Sequence, residues 1–216
     1  MEYNVKSFTK LLWRENALHN LVSRKTSPED LQRHIEDSLR LLDFTPLPPG
    51  ARLVDIGSGA GFPGLLLAMA RPEVEVTLLE SDGKKCQFLN LVREELGLEQ
   101  VRVVCRRAEE VGHDPAWREG FDYCTSRAVA AMNIMLEYGL PLLKVEGRLL
   151  LWKGRNYTIE MEEAQNALET LGGMVEDIFH YTLMEDLDRV IISIRKTSHT
   201  PDKYPRRVGV PSKRPL

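Results

Sequence analysis

Apolar positions in the first forty residues recur at helical spacing. Phe8, Leu11, Leu12, Leu18, Leu21 and Val22 fall roughly on one face, and Leu31, Ile35, Leu39 and Leu42 repeat every three or four residues. Between the two sets, Ser27-Pro28-Glu29-Asp30 reads as a helix start. Ser27 is a cap, Pro28 suits the first helical position, and the acids favour the positive end of the helix dipole. The breaker cluster Thr45-Pro46-Leu47-Pro48-Pro49-Gly50 closes this part. Beyond it the period changes. Apolar runs at 52–56, 75–80, 101–106, 121–126 and 147–152 predict strands, and the segments 64–70, 84–96, 130–143 and 157–171 predict helices.

Strands alternating with helices make βαβ units, hence a parallel sheet covered on both faces. The end differs: Met174–Leu183 and Arg189–Arg195 are two strands joined only by Met184-Glu185-Asp186-Leu187-Asp188. So short a connection makes an antiparallel pair, because a parallel one needs a crossover. A mostly parallel seven-stranded α/β sheet ending in an antiparallel hairpin is the outline of the Rossmann-like class I methyltransferase fold. The chain therefore divides into a helical extension (1–44), a sheet domain (45–196) and a tail (197–216). The tail carries Pro201, Pro205, Pro211 and Pro215, which argue against regular helix, and five cations against the single acid Asp202.

Composition narrows the class. The chain has 216 residues, 43% hydrophobic and 28% charged, with a formal net charge of −3. That is globular composition, and it excludes a protein basic throughout, so any nucleic-acid binding must come from a local patch. The polar start Met1-Glu2-Tyr3-Asn4-Val5-Lys6 lacks the layout of a signal peptide, and no apolar run spans a bilayer. Cys86, Cys105 and Cys124 form no CxxC pair, which suggests neither a disulfide framework nor zinc; they read as small buried hydrophobes. The five histidines are scattered, so no metal is expected. A cytoplasmic, monomeric, reduced protein without membrane attachment is the plain expectation.

The informative stretch is Leu53-Val54-Asp55-Ile56-Gly57-Ser58-Gly59-Ala60-Gly61-Phe62-Pro63-Gly64, a glycine loop leaving a strand and opening a helix. Such glycines allow a tight turn and a close approach of ligand to backbone. A dinucleotide fingerprint wants Gly or Ala where Phe62 stands, and no Gly-Lys-Ser/Thr follows to make a P-loop. Asp55 suits a ligand carrying an ammonium better than a pyrophosphate. Glu80, about 20 residues on at the next strand end, stands where ribose hydroxyls bind. S-adenosylmethionine is the cofactor that fits. The third strand ends in Arg106-Arg107-Ala108-Glu109, where the backbone of Ala108 and Glu109 can reach an adenine. The fourth ends in Thr125-Ser126-Arg127, whose Arg can clamp either a cofactor carboxylate or a structural Asp.

With Asp55–Gly64, Arg107-Ala108-Glu109, Thr125-Ser126-Arg127-Ala128-Val129-Ala130, Lys153-Gly154 and the ending Tyr204–Leu216, the chain resembles the bacterial 16S ribosomal RNA guanine-N7 methyltransferase family, RsmG (GidB), over nearly its whole length. The resemblance implies methyl transfer from S-adenosyl-L-methionine to N7 of a guanine in the 530 loop of 16S rRNA, either naked or in the 30S subunit. It also implies cofactor contacts at Gly57, Gly59, Phe62, Glu80, Ser81, Asp82, Ala108, Glu109 and Arg127. Asn16, Asn20, His34, Asp37 and Ser38 match the family's amino-terminal region, while Val22 departs from its usual Thr, a change expected to touch a local cap.

The chemistry agrees. A pyrimidine C5 methyltransferase needs a nucleophilic Cys, and exocyclic-amine methylases carry Asn/Asp-Pro-Pro-Tyr/Phe where Thr125-Ser126-Arg127-Ala128 stands. Guanine N7 is an exposed lone pair with no proton to lose, so positioning and electrostatics suffice, and no catalytic residue is singled out. RNA contact is expected from Lys153, Lys203, Arg206, Arg207, Lys213 and Arg214, with Lys84, Lys85, Arg106 and Arg107 near the cofactor mouth. Removing 197–216 is expected to abolish RNA methylation and spare cofactor binding. A small-molecule methyltransferase would have no use for the basic tail. A binding module would tolerate a broken glycine loop, and Phe62 disfavours a nicotinamide enzyme.

Overall fold

The computed structural model describes residues 2–183 and 187–216. Three N-terminal helices, α1 (Glu2–Asn16), α2 (Pro28–Leu39) and α3 (Leu41–Phe44), precede a sheet whose strands alternate with helices. The first half runs β1 (Arg52–Ile56), α4 (Gly64–Ala70), β2 (Glu75–Glu80), α5 (Gly83–Glu95), β3 (Val101–Cys105) and α6 (Ala108–Val111). The second half runs β4 (Phe121–Arg127), α7 (Met132–Gly139), β5 (Leu143–Lys153), α8 (Tyr157–Glu163), α9 (Gln165–Leu171), β6 (Gly173–Leu183) and β7 (Leu187–Lys196). A short α10 (Val210–Lys213) lies in the tail.

The seven strands order as β3-β2-β1-β4-β5-β7-β6, parallel except for β7, which runs antiparallel to both β5 and β6. Consecutive residues of each central strand feed opposite faces. Leu53, Leu78, Leu150 and Ile191 pack beneath α1, α2, α4 and α5, whereas Val54, Leu79, Leu151 and Ile192 pack with α7 and α9. Burial on both faces explains why these strands read as continuous apolar runs. Phe8, Leu12, Leu31 and Ile35 of the N-terminal helices belong to the first of these cores, so α1 and α2 are part of the sheet's cover.

Several details differ from expectation. α1 stops at Asn16, whose side-chain oxygen accepts the Leu21 and Val22 backbone N–H groups at 2.9 and 3.0 Å. That cap turns the chain and leaves Leu18 exposed, off the expected apolar face. The Ser27 start forms as a reciprocal box, Asp30 N–H to Ser27 Oγ and Ser27 N–H to Asp30 Oδ2. The predicted 130–143 helix ends early, because Pro141 sits in a 3-10 turn (Leu140–Leu142) that feeds a longer β5. Two short helices, α6 and α10, were not foreseen; in α10 Pro211 occupies the first turn, where proline is tolerated. The connection at Met184–Asp186 lies outside the described residues.

The cysteines are a correction. Cys86 and Cys105 are joined as a disulfide with Cα atoms 5.9 Å apart, and Cys124 alone is the buried free thiol expected of all three. The spacing of 19 residues hides the pairing. It arises because Glu80 at the end of β2 registers with Cys105, and α5 brings Cys86 back over that same strand end.

Candidate active site

The strand order reverses between β1 and β4, and the crevice above their carboxyl ends is where open α/β sheets bind ligands. A cleft of about 1370 Å³ opens there. That exceeds what one cofactor-sized ligand requires, and leaves room for a second group beside it.

One end of the cleft is backbone. Gly57, Gly59 and Gly61 all take positive φ (70°, 55° and 98°). Gly57 also permits a close approach, since a Cβ there would lie 2.4 Å from the Val129 side chain. Asp55 holds the loop from below, its carboxylate accepting Gly64 N–H at 3.1 Å and the hydroxyl of Thr125, its register partner on β4, at 2.8 Å. Complete burial raises the Asp55 carboxyl to about 6. This acid thus supports the loop and does not face a ligand's ammonium. Glu80 closes this end. It accepts Gly59 N–H on Oε2 at 2.9 Å, and Ser81 and Asp82 N–H on Oε1 at 2.7 and 2.9 Å. Asp82 itself caps α5 through Lys84 and Lys85 N–H, which hold its carboxyl below the usual range.

The other end is made of side chains drawn from distant segments. Arg127 is the last residue of β4, and Ala128 at φ 57° turns the chain so that Val129 lies over Gly57. The Arg127 guanidinium donates to Asp37 Oδ2 at 2.8 Å and to His34 C=O at 3.3 Å, and rests over the Phe62 ring. Asp37 also accepts the Tyr181 hydroxyl, and its carbonyl accepts the Trp152 indole N–H at 2.9 Å. His34 stands against Phe62, and burial together with Arg127 holds its imidazole below the usual value. Of the two partners foreseen for Arg127, the structural Asp is present.

Gly57, Gly59, Phe62, Glu80, Ser81, Arg127 and Lys153 all line the cleft. Asp82, Ala108 and Glu109 stand outside its lining, although Ala108 and Glu109 open α6 at the next strand end. Lys85 reaches the cleft, whereas Arg106 pairs with Asp114 at 2.7 Å.

The tail runs elsewhere. It packs along α6 and α7: Arg118 donates to the Thr200 and Tyr204 carbonyls, His113 meets Pro205 C=O, and Gly209 N–H reaches Glu109 Oε1 at 2.9 Å. Arg206 is locked on Glu137, a fully buried acid, at 2.6 Å. Lys203, Arg207, Lys213 and Arg214 remain exposed. Because Tyr204 and Thr200 are buried, removing 197–216 would strip part of the core, so that deletion cannot isolate RNA binding as the sequence suggested.

The contacts that sequence reasoning missed are Tyr181, Trp152 and Glu160, which meet their partners only in the fold. The amino-terminal matches Asn16, His34 and Asp37 did carry a signal: each shapes this end of the cleft.

A family model described as rRNA small subunit methyltransferase G (GidB) matches residues 1–187. The chain belongs to this family. A family member from Syntrophomonas wolfei, named ribosomal RNA small subunit methyltransferase G, is 58% identical over 216 residues, the whole of both chains. A second of the same name, from Lactobacillus delbrueckii subsp. bulgaricus, is 42% identical and covers all of this chain and 91% of its own. Among solved structures, M. jannaschii TYW2 in complex with AdoMet superimposes with a TM-score of 0.61 at 16% identity, over 76% of this chain and 77% of that one. MtNAS in complex with MTA and tNA gives 0.63 at 14% identity, over 92% and 71%. At these identities the structural likeness shows the fold. The matched region spans the N-terminal helices and the sheet through β6, while β7 and the tail lie beyond it.

Proposed function

We propose that the protein transfers a methyl group from S-adenosyl-L-methionine to N7 of a guanine in the 530 loop of 16S rRNA, acting in the cytoplasm on the 30S subunit or its RNA. The observation that carries this reading is the Glu80 carboxylate bound to Gly59 N–H at the end of β2, beside a glycine loop too tight for a side chain. That pairing is the cradle a ribose and a close-lying adenosine need, and membership of an rRNA methyltransferase family supplies the acceptor class.

The residues fit the cofactor. Gly57 and Gly59 give it close approach to backbone, Glu80 an acceptor for its ribose hydroxyls, and Ser81 and Asp82 the turn that presents Glu80. Ala108 and Glu109 bound the adenine side, and Glu109 is itself held by Gly209 N–H and the Tyr138 hydroxyl, whose pKa burial and Glu109 push up to about 12. Arg127, backed by Asp37 and lying on Phe62, faces the carboxylate of the methionine end. The cofactor supplies an electrophilic sulfonium methyl. Guanine N7 needs no deprotonation, so the chain has only to orient the base and shield the site from water. Lys203, Arg207, Lys213 and Arg214 are free for phosphate contact on the tail; Arg206 is locked on Glu137, and Lys153 spends two of its three N–H groups on Ala130 and Glu160.

Incubation with methyl-labelled S-adenosylmethionine and either naked 16S rRNA or 30S subunits tests the reading. Label in rRNA from either substrate is expected; cofactor binding with no label in RNA would move the acceptor to another class.

A further inference from the structure

Among the described residues, four carboxylates line the cleft: Asp30, Asp37, Glu80 and Glu160. Three are committed on both oxygens. Asp30 accepts from Ser27 N–H and Arg33, Asp37 from Arg127 and Tyr181, and Glu80 from the three N–H groups of the glycine loop and the β2 turn. Glu160 differs. Its Oε2 takes both of its bonds, Met132 N–H at 2.9 Å and Lys153 Nζ at 2.6 Å, and Oε1 accepts none among the described residues. The side chain keeps 27% of its surface exposed. Lys153 complements it: two of its three N–H groups go to Ala130 C=O at 2.9 Å and to Glu160.

Position adds to this. Ala130 belongs to the loop that lays Val129 over Gly57, and Met132 starts the helix after it. The pair is therefore tied to the loop after β4, which lines the same cleft as Gly57 and Arg127. We propose that Glu160, with Lys153 beside it, reads the Watson–Crick edge of the target guanine: Glu160 Oε1 accepts N1–H and the Lys153 ammonium donates to O6. This assignment rests on the methyl-transfer reading above and names the residues that select its base. Guanine presents an acceptor (O6) next to a donor (N1–H); adenine presents the reverse, and would leave both protein groups unpaired in a desolvated slot. The carboxylate has a second effect. Methylation puts positive charge on the purine, and a fixed negative group at its edge stabilises that charge as it develops.

Glu160→Gln is the informative variant, because its amide oxygen still accepts the Met132 N–H. On 30S subunits kcat/KM is expected to fall about 100-fold, with cofactor affinity unchanged within twofold. A purely structural pair could also slow the reaction, so the deciding readout is base substitution. Particles are reconstituted with 16S rRNA carrying 2-aminopurine at the methylated position, which keeps N7 and the 2-amino group but lacks O6 and N1–H. The parent should lose about 100-fold on this substrate relative to guanine, whereas Glu160→Gln should lose only about tenfold, since its N1–H contact is already gone and only the Lys153–O6 contact remains to be lost. An equal penalty in both proteins, or full activity of Glu160→Gln on guanine, overturns the assignment. If the parent methylates no guanine in 30S subunits, the activity reading fails first, and that result is distinguishable because it precedes any variant.

Discussion

The two ends of the cleft are built by different means. The glycine-loop end is backbone: three positive-φ glycines, N–H groups gathered on Glu80, and Asp55 beneath. The Arg127 end is side chain on side chain, with Asp37 joined to Arg127 and Tyr181 across 90 and 144 residues of sequence. A backbone cradle is specified locally and tolerates little change in shape. A side-chain clamp is specified by the whole fold, and its members fail together.

The sharpest way to break the comparison is Asp37→Ala. It leaves the largely buried Arg127 guanidinium without its acidic partner, a loss of about 3–5 kcal/mol in unfolding free energy by denaturant titration. A loss under 1 kcal/mol would mean the clamp is not a unit. At the backbone end, Asp55 makes stability depend on pH. Its folded pKa of about 6 exceeds the 3.8 of an ordinary aspartate, so the native state holds a proton that the unfolded chain has released. Stability contributed by this group is greatest below pH 4 and falls as pH rises towards 6, by up to about 3 kcal/mol. Asp55→Asn should flatten that slope in melts from pH 4 to 7; an unchanged slope would exclude Asp55 as its source.

Gly57→Ala should weaken cofactor binding about 100-fold by calorimetry, through its φ of 70° and the Val129 contact, while leaving the Asp37 clamp intact. Binding within threefold of the parent would show that the loop yields. The smallest effect belongs to the tail. Replacing Lys213 and Arg214 by Ala should leave the melting temperature unchanged and reduce the salt slope of rRNA binding by about one per lost phosphate contact. An unchanged slope removes these cations from the interface.

The same division explains what could be read from sequence. β1, α4 and β2 match their predicted limits, since apolar runs and glycine turns are local signals. The place of Glu80 beside the glycine loop is legible because one βα unit fixes its distance from that loop. The Cys86–Cys105 bond, the Tyr181–Asp37 contact and the Arg206–Glu137 pair were not legible, because each joins elements whose proximity only the sheet order creates. The tail was the instructive case. Its charge reads as a solvated binding segment, yet Tyr204 is buried in the core and Arg206 is locked on Glu137 of α7, and of its cations Lys203, Arg207, Lys213 and Arg214 are exposed.

The central claim is transfer to one atom of one base, and the most direct measurement locates that atom. 30S subunits are methylated with labelled S-adenosylmethionine, and the extracted 16S rRNA is reduced and treated with aniline, which cleaves the chain at N7-methylguanine. Scission and label should coincide at a single guanine in the 530 loop. Label without aniline-sensitive scission, or scission elsewhere in the RNA, would contradict the account.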